Sequence, residues 1–234
     1  MKRTGIIGAM EEEVAILKEK MEHVTVTRKA DMEFYQGTLN GCEAVVVRSG
    51  IGKVNAGICV QILADVFQVD TIINTGVAGS LKTEINIGDI VLSTDTMYHD
   101  MDAREFGYLI GQVPRMDTLT FPADPEIRKK AARICKEVNP EIQVFEGRIV
   151  SGDQFVADKE QKNRIIENTQ GWCTEMEGTA IGQAAYLNKI PYLVIRAISD
   201  KADDSAGMDY AVFEEQAIRH SVNLLLEMAS RYEG

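Results

Sequence analysis

Short apolar runs alternate with amphipathic segments along the whole chain, which is the pattern of an α/β protein. Compact apolar runs predict buried strands, and apolar residues at helical spacing predict helices. The predicted strands lie at 5–9, 32–39, 42–48, 71–75, 89–93, 142–150, 172–175 and 191–199. The predicted helices lie at 11–20, 53–67, 124–138, 158–168, 178–187 and 210–231. We therefore expect a single domain over residues 1–234, with a mixed central β-sheet flanked by helices.

Residues 95–121 follow neither pattern. This segment is rich in polar residues and glycine, yet it contains Phe106, Tyr108, Leu109 and Pro114. Long irregular segments are usually functional, and apolar residues gathered on one loop usually mark an interface. We expect a homodimer in which this loop contacts the partner. The alternative is a loop that folds back on its own core.

The chain has 234 residues, with 25 Lys and Arg against 36 Asp and Glu and a formal net charge of −11. This excess of acid disfavours binding to nucleic acids, which requires a basic surface that displaces counterions. It also disfavours binding to anionic membrane surfaces, and no apolar stretch approaches the roughly 18 residues that span a bilayer. We expect neither a nucleic acid nor a membrane as a partner.

The first apolar run is followed at once by three glutamates, which is not the pattern of an export signal. The four cysteines lie far apart and form no C-x-x-C pair, so we expect reduced thiols. The three histidines have no metal-ligand spacing. The resulting expectation is a cytoplasmic protein that uses no metal and no cofactor.

Two glycine-rich segments, 49–52 and 75–79, each follow a predicted strand. GIIG at 5–8 lacks the spacing of a dinucleotide fingerprint, and GIGK at 50–53 lacks that of a phosphate-binding loop. We interpret the glycines of these two motifs as tight turns between a strand and a helix. A backbone without side chains also lets a ligand come close. Such turns lie at the edge of an open α/β sheet where ligands usually bind.

Several acids are predicted at that same edge. Of the glutamates at 11–13, the first turn of a helix accounts for two, and Glu13 lies far enough along the chain to point back over the strand ends. Glu175 and Glu177 end or follow the strand at 172–175, so one of them is expected at the edge. Glu177 either caps the next helix or accepts hydrogen bonds from the two hydroxyls of a ribose.

The strand at 191–199 contains an arginine within an apolar run. Side-chain alternation puts Arg196 and Asp200 on one face. A buried Arg196 needs a partner because an unpaired buried charge is too costly, and Glu13 and Glu177 are the candidates. Taken alone, Asp200 is better explained as a turn or helix cap. Three acids and one arginine at one edge nevertheless predict a site that cleaves a bond without a metal.

These residues occur in an order that resembles one enzyme family. The landmarks are GIIGAMEEE at 5–13, SGIGKV at 49–54, NTGVAG at 74–79, FGY at 106–108, SGDQF at 151–155, EME at 175–177 and RAISD at 196–200. In this joint order, which runs through nearly the whole chain, the sequence resembles the 5′-methylthioadenosine/S-adenosylhomocysteine nucleosidases of the nucleoside phosphorylase/hydrolase superfamily.

The resemblance implies hydrolysis of the N-glycosidic bond of adenine nucleosides without a cofactor. The implied substrates are 5′-methylthioadenosine and S-adenosylhomocysteine, and also 5′-deoxyadenosine, in methionine salvage and in the recycling of S-adenosylmethionine by-products. Asp200 would be the general acid that protonates adenine N7, and Glu13 would activate the attacking water. Arg196 would help to place that water, and Glu177 would bind the ribose hydroxyls.

The resemblance also implies which residues line the substrate pocket. Phe155 and the Val156 backbone would hold adenine, and Met176 would pack on the sugar. Met10, Ile51 and Tyr210 would line the pocket for the 5′-thioether, Gly79 and Ser199 would also contact the substrate, and Phe106 and Pro114 would reach in from the partner. Family members often carry Ser where this chain has Val77, and Phe where it has Tyr210.

The physical chemistry of the reaction fits these roles. Adenine leaves poorly as an anion, so an acid must first protonate the ring. An ordinary Asp has a pKa of about 3.9, so Asp200 would have to be buried to keep a proton near neutral pH. The sugar passes through an oxocarbenium-like cation, which a carboxylate beneath it, Glu177 or Glu13, would stabilise.

Three alternatives stay open. A purine nucleoside phosphorylase of the same superfamily would use phosphate, which the acidic turn at 10–13 would repel. A hydrolase of a futalosine-type nucleoside differs only in pockets that the sequence does not resolve. A catalytically silent adenosine sensor would have lost one of the three acids, and all three are present.

Overall fold

One mixed sheet with helices packed around it forms the body of the protein. The structure, a computed structural model, describes residues 3–203 and 206–231, and of residues 208, 210 and 211 the backbone only. The strands are β1 Thr4–Gly8, β2 Met21–Lys29, β3 Met32–Leu39, β4 Cys42–Arg48, β5 Thr71–Ser80, β6 Ile90–Tyr98, β7 Phe121–Pro122, β8 Val144–Ser151, β9 Cys173–Glu175 and β10 Tyr192–Asp200. The α-helices are α1 Ala15–Lys20, α2 Lys53–Asp65, α3 Pro125–Val138, α4 Lys159–Thr169, α5 Gly178–Asn188 and α6 Ala206–Ser230. The predicted α/β fold with a mixed central sheet is confirmed.

Three parallel strands, β1, β5 and β10, form the middle of the sheet. β1 pairs with β5, and β5 pairs with β10. Their side chains are almost entirely buried, because α5 and α6 pack against β5 and β10. Parallel strands end at the same edge of a sheet, so the residues that follow β1 and those that end β5 and β10 lie close together.

The rest of the sheet closes on itself beside these strands. β10 also pairs with β6, and the order continues through β8 and β9 back to β5. β9 therefore lies antiparallel to the last residues of β5, with Thr174 opposite Gly79. On the other side of β5, Asp200 is opposite Gly79. The closure thus places a glycine between an acid and a hydroxyl in one lateral row.

Two helices, α3 and α4, begin where the sequence supplies a capping side chain. Asp124 accepts hydrogen bonds of 2.9 Å from the backbone amides of Glu126 and Ile127, and Pro125 occupies the first turn of α3. Asp158 accepts a hydrogen bond of 2.7 Å from the amide of the third residue of α4. These caps satisfy backbone donors that have no partner inside the helix.

The first predicted helix is shorter than its pattern suggests. α1 begins at Ala15 and not at residue 11, because the Glu13 carboxylate turns back and accepts hydrogen bonds from the amides of Ala9 and Met10. The strand β2 is not predicted by the sequence. Most of its side chains are exposed, so it lacks the one-sided apolar alternation that marks a half-buried strand.

The strand predicted at 71–75 extends further than its apolar pattern, and the second glycine segment is part of it. β5 continues through residues 76–79 to Ser80, so these glycines lie within a strand. Glycine is required at two of these positions because acidic side chains lie very close to the backbone. A Cβ on Gly76 would overlap the Glu13 carboxylate, and one on Gly79 would lie 2.7 Å from an Asp200 oxygen. The first glycine segment does form the predicted turn before α2, with positive φ angles.

The irregular segment begins later than predicted, because β6 continues to Tyr98. Within the segment, one 3₁₀ turn spans Arg104–Phe106. Phe106 is 83% exposed, and Leu109 and Pro114 are exposed as well. These three side chains do not fold back on the core of their own chain. In the described part of the chain, no helix combines the length and the apolar character needed to cross a membrane.

Candidate active site

A cavity of about 210 Å³ opens at the edge where β1, β5 and β10 end. Its lining combines carboxylates with small and apolar residues: Ala9, Met10, Glu13, Ile51, Val77, Ala78, Gly79, Phe155, Thr174, Glu175, Met176, Glu177, Ser199 and Asp200. No lysine or arginine of the described residues is part of this lining. The cavity is therefore acidic and is suited to a ligand that carries no negative charge at that point.

Backbone amides hold the Glu13 carboxylate in place. One oxygen accepts hydrogen bonds from the amides of Ala9 at 2.6 Å and Met10 at 3.0 Å, and the other accepts one from Val77 at 3.2 Å. Burial raises the pKa of the Glu13 carboxyl above its ordinary value, although the Arg196 charge and the three amides oppose this. Glu13 is thus a fixed, desolvated carboxylate with the properties of a general base.

Arg196 lies behind the cavity wall and forms an ion pair with Glu175. Its guanidinium also donates to the Asn74 side chain at 2.5 Å, and Asn74 donates to the backbone of Ile7 at 3.0 Å. The expectation that Glu13 and Glu177 are the direct partners of Arg196 is therefore wrong. Glu175 occupies that place because it follows Thr174 in β9, which the closed ring of strands brings beside β5, one strand away from β10.

Glu175 also performs the capping that the sequence suggests for Glu177. Its carboxylate accepts hydrogen bonds from the amides of Glu177 at 3.1 Å and Gly178 at 2.7 Å, and from the Ser151 hydroxyl. Burial alone would raise the pKa of Glu175, but the Arg196 charge and these donors outweigh it and hold the pKa below its ordinary value. Glu175 is therefore an ionised structural partner rather than a free acid.

Glu177 lines the cavity and contacts the beginning of α2. One carboxylate oxygen accepts a hydrogen bond of 2.7 Å from the amide of Gly52, which caps that helix. Burial, together with the nearby Glu175 charge, raises the pKa of Glu177 to about 8. The second oxygen has no hydrogen bond from the described residues, so the carboxyl can accept hydrogen bonds from a hydroxyl-bearing ligand.

Asp200 ends β10 at a bulge. The strict alternation predicted for this strand stops at Ile198, because the register with β5 shifts between Ile198 and Asp200, and both Ser199 and Asp200 reach the cavity. The Asp200 carboxylate accepts hydrogen bonds from the amide of Ala202 at 2.7 Å and from the Ser199 hydroxyl at 2.9 Å. Burial raises its pKa, which favours a protonated acid at the cavity wall.

The structure brings most of the predicted site residues together around this cavity. Those that line it are Met10, Glu13, Ile51, Gly79, Phe155, Met176, Glu177, Ser199 and Asp200. Arg196 does not line it, and the Val156 side chain is buried in a small apolar cluster next to it. Phe106 and Pro114 lie elsewhere on the surface of the same chain. The side chain of Tyr210 lies outside the described residues.

Sequence reasoning misses part of the lining: Ala9, Val77, Ala78, Thr174 and Glu175 are not among the predicted site residues. Val77 and Ala78 lie inside a glycine-rich motif that the sequence does single out, but the sequence does not show that these two residues line the cavity. Thr174 and Glu175 reach the cavity because a strand of three residues, β9, pairs in antiparallel fashion with β5. Such a short strand carries no periodic signal that could predict its partner.

Comparison with known proteins identifies the family. A sequence profile described as the phosphorylase superfamily matches residues 3–230. A 5′-methylthioadenosine/S-adenosylhomocysteine nucleosidase from Staphylococcus carnosus is 42% identical over 227 residues, which are 96% of this chain and 97% of the relative. This chain belongs to the 5′-methylthioadenosine/S-adenosylhomocysteine nucleosidase family. The resemblance described from the sequence motifs is thereby confirmed.

Solved structures of nucleosidases share the fold closely. That of the Colwellia psychrerythraea nucleosidase in complex with adenine has a TM-score of 0.94 and 40% identity, and the match covers 97% of this chain and 94% of that one. The Neisseria meningitidis nucleosidase in complex with methylthio-immucillin-A also has a TM-score of 0.94, with 36% identity and coverage of 98% and 99%. A Helicobacter pylori futalosine hydrolase has a TM-score of 0.91 but only 30% identity, covering 97% of each chain. The fold is thus common to both activities, and the higher identity is to the nucleosidases.

The raised pKa of Glu177 predicts a pH-dependent gain in stability for Glu177→Gln. The folded protein holds the Glu177 proton more tightly than the unfolded chain does, so burial of this group destabilises the protein increasingly as pH rises from about 4.5 to about 8. We expect the melting temperature of Glu177→Gln to match the wild type near pH 4 and to exceed it at pH 8.5, by about 2–4 °C for each kcal/mol by which the buried Glu177 destabilises the wild type at that pH.

Thermal unfolding of both proteins across this pH range measures the difference. The exposed Glu19→Gln exchange is the matched control and should show no such trend. A difference in melting temperature that stays constant from pH 4 to 8.5 would contradict the raised pKa of Glu177.

Proposed function

We propose that this chain hydrolyses the N-glycosidic bond of 5′-methylthioadenosine and S-adenosylhomocysteine, and also of 5′-deoxyadenosine, to adenine and the 5-substituted ribose. The observation that carries the proposal is the cavity itself: its polar lining consists of four carboxylates and two hydroxyls, with no cationic side chain of the described residues. The names of the relatives that cover nearly the whole chain support the same substrates.

Asp200 supplies the proton that the leaving group needs. Burial raises the pKa of the Asp200 carboxyl and so favours its protonated form, and Asp200 transfers this proton to N7 of the base as the bond between C1′ and N9 breaks. The bonding electrons then move into a neutral adenine instead of an anion. The Ser199 hydroxyl and the Ala202 amide hold the acid in one orientation and stabilise the carboxylate that remains after the transfer.

Glu13 accepts the other proton of the reaction. A water that attacks C1′ forms a new bond between carbon and oxygen and gives a proton to the Glu13 carboxylate. The three backbone amides fix that carboxylate toward the cavity. We assign Arg196 an indirect part: it neutralises Glu175 and lies beside Glu13, so it orients carboxylates rather than touching the substrate.

Glu177 binds the ribose through the oxygen that Gly52 does not occupy. When ionised, its carboxylate also stabilises the cationic sugar that forms when the base leaves, and that positive charge in turn favours the ionised form over the proton-bound form of the ligand-free site. Phe155, Met176 and Ile51 supply the apolar surface on which the base, the sugar and the 5′ substituent pack. No step of this sequence involves a metal or a cofactor.

The acidic lining favours water over phosphate as the nucleophile. A phosphate dianion requires arginines or free amides near the sugar, and here the amides of Ala9, Met10 and Val77 already bind Glu13. A catalytically silent sensor is disfavoured because Glu13, Glu177 and Asp200 all line the cavity. A futalosine-type substrate is disfavoured by the lower identity to the hydrolase of that type.

Product analysis tests the proposal directly. Incubation with 5′-methylthioadenosine should release adenine and free methylthioribose at the same rate with and without phosphate. Formation of the 1-phosphate sugar would identify a phosphorylase. Release of a base from a futalosine-type nucleoside, with none from 5′-methylthioadenosine, would identify the other hydrolase.

The two proton-transfer residues should be separable by substitution. We expect Asp200→Asn to lower kcat/KM by about 10²–10⁴-fold while adenine still binds, because the acid alone is lost. Glu13→Gln should likewise abolish turnover. Glu11→Gln and Glu12→Gln make the same exchange next to the site and should cost little, since neither side chain lines the cavity. Equal losses in all three glutamate variants would contradict the role of Glu13.

We also propose a homodimer whose partner completes the 5′ pocket. Apolar side chains continue from the cavity mouth onto the surface: Ile51 and Phe155 line the cavity yet are more than half exposed, and Val54 on α2 is 73% exposed. Phe106 and Pro114 lie on the surface outside their own cavity. A two-fold arrangement would place each loop over the mouth of the neighbouring cavity and cover both apolar surfaces.

Sedimentation and binding measurements test the dimer. Phe106→Ala should weaken the dimer and should weaken binding of 5′-methylthioadenosine more than binding of adenine, because only the former has a 5′ substituent. Val26→Ala, which removes an exposed apolar side chain from β2, is the matched control and should change neither. A fully active monomer at assay concentration would contradict the proposal.

The cellular setting follows from the same proposals. A nucleosidase of this kind serves methionine salvage and removes by-products of S-adenosylmethionine reactions. We place it in the cytoplasm, where the thiols at Cys59, Cys135 and Cys173, all buried and unpaired, stay reduced. Its ligands are small adenine nucleosides, and its one macromolecular partner is a second copy of the chain, each copy acting as a single domain over residues 1–234.

A further inference from the structure

One hydroxyl in the cavity wall makes no hydrogen bond with the described residues. Thr174 lines the cavity and is only 5% exposed, and its Oγ1 has no hydrogen-bond partner among the described residues. The cavity's other hydroxyl, that of Ser199, donates to Asp200. Buried hydroxyls without a partner are rare because they lose their hydration without compensation. The side chain therefore has a free donor and a free acceptor beside the ligand space.

The position of Thr174 relates it to the base of the substrate. Gly79 pairs laterally with Asp200 on one side and with Thr174 on the other. Laterally paired residues project from the same face of a sheet, about 10 Å apart across two strand spacings. Gly79 has no side chain, and the place that its Cβ would take is filled by Asp200 and Ala202, at 2.7 and 2.8 Å. The Asp200 carboxylate therefore leans over Gly79, and Asp200 and Thr174 both line the cavity, from opposite sides of this glycine.

We propose that Thr174 is a specificity-determining residue that donates a hydrogen bond to N3 of the adenine ring. This rests on the proposed function, in which Asp200 protonates N7. A purine in the cavity with N7 against Asp200 turns the opposite edge, which carries N3, away from β10 and toward the β9 side of the cavity, where Thr174 lies. N3 is an acceptor in the neutral base, and the Thr174 hydroxyl is a donor. Rotation about χ1 exchanges hydroxyl and methyl, so the contact forms without movement of the strand.

Inhibition by free bases isolates this hydrogen bond. Thr174→Val keeps the shape of the side chain and removes the hydroxyl, so adenine should inhibit this variant about tenfold more weakly than the wild type. 1-Deazaadenine, which keeps N3, should show the same loss. 3-Deazaadenine, which has a carbon there, should inhibit both proteins equally, and Thr174→Ser should restore wild-type inhibition by adenine.

A matched variant separates recognition from a structural role. The Thr179 hydroxyl is fully buried and donates to the backbone of Met97 at 2.9 Å, so Thr179→Val should lower the melting temperature without changing inhibition by adenine. Thr174→Val should do the reverse, because its hydroxyl has no protein partner to lose. Inhibition by methylthioribose should be unchanged in Thr174→Val, since the contact is to the base.

Specific outcomes would overturn the assignment. Unchanged inhibition of Thr174→Val by adenine, or the same loss with 3-deazaadenine, would exclude a hydrogen bond to N3. If the variant does not fold, equal inhibition of the wild type by adenine and 3-deazaadenine excludes it as well. Wild-type protein that releases no adenine from 5′-methylthioadenosine overturns the proposed function instead, so the two failures are distinguishable.

Discussion

The buried charge of Arg196 constrains everything around the cavity. A guanidinium that is removed from water must be neutralised and must have its donors satisfied, or its burial would cost several kcal/mol. Glu175 supplies the charge and Asn74 supplies an acceptor, and Asn74 in turn donates to the backbone of β1. Arg196 therefore links β10 to β5 and β9 directly, and to β1 through Asn74. Because Glu175 balances the charge of Arg196, the carboxyl groups of Glu13 and Glu177 remain able to contact a ligand in the cavity.

Much of the fold can be predicted from the sequence because most elements bury a regular apolar pattern. β10 and α3 lie within a residue or two of their predicted bounds, since one is an unbroken apolar run and the other has a capping Asp and a Pro at its start. β2 and the extension of β5 are not predicted. β2 is exposed, and the end of β5 consists largely of glycine and alanine, whose place in a strand depends on side chains that arrive from elsewhere in the chain.

The residues of the site likewise divide into those that the sequence predicts and those that it does not. Glu13 and Asp200 can be predicted because they follow or end recognisable strands of the parallel centre, and parallel strands bring their ends together. Glu177 is indicated by its place directly after a predicted strand, although the antiparallel pairing of that strand is not. The partner of Arg196 and the presence of Thr174 cannot, because both depend on β9, whose pairing is decided by the closure of the sheet. Periodicity describes which face of an element is buried. It carries no information about which distant element fills the neighbouring position.

The sheet also has a free edge, and its composition has a consequence for solubility. From β5 the sheet continues through β1, β4 and β3 to β2, so β2 is the outermost strand at this end, among the described residues. This edge is interrupted by a bulge between Glu22 and Thr25, with His23 at a positive φ, and it ends in the charged pair Arg28 and Lys29. Bulges and charges keep an edge from adding strands of another molecule. Uncontrolled polymerisation through the backbone is thereby discouraged, which leaves side-chain surfaces as the route by which copies of the chain recognise one another.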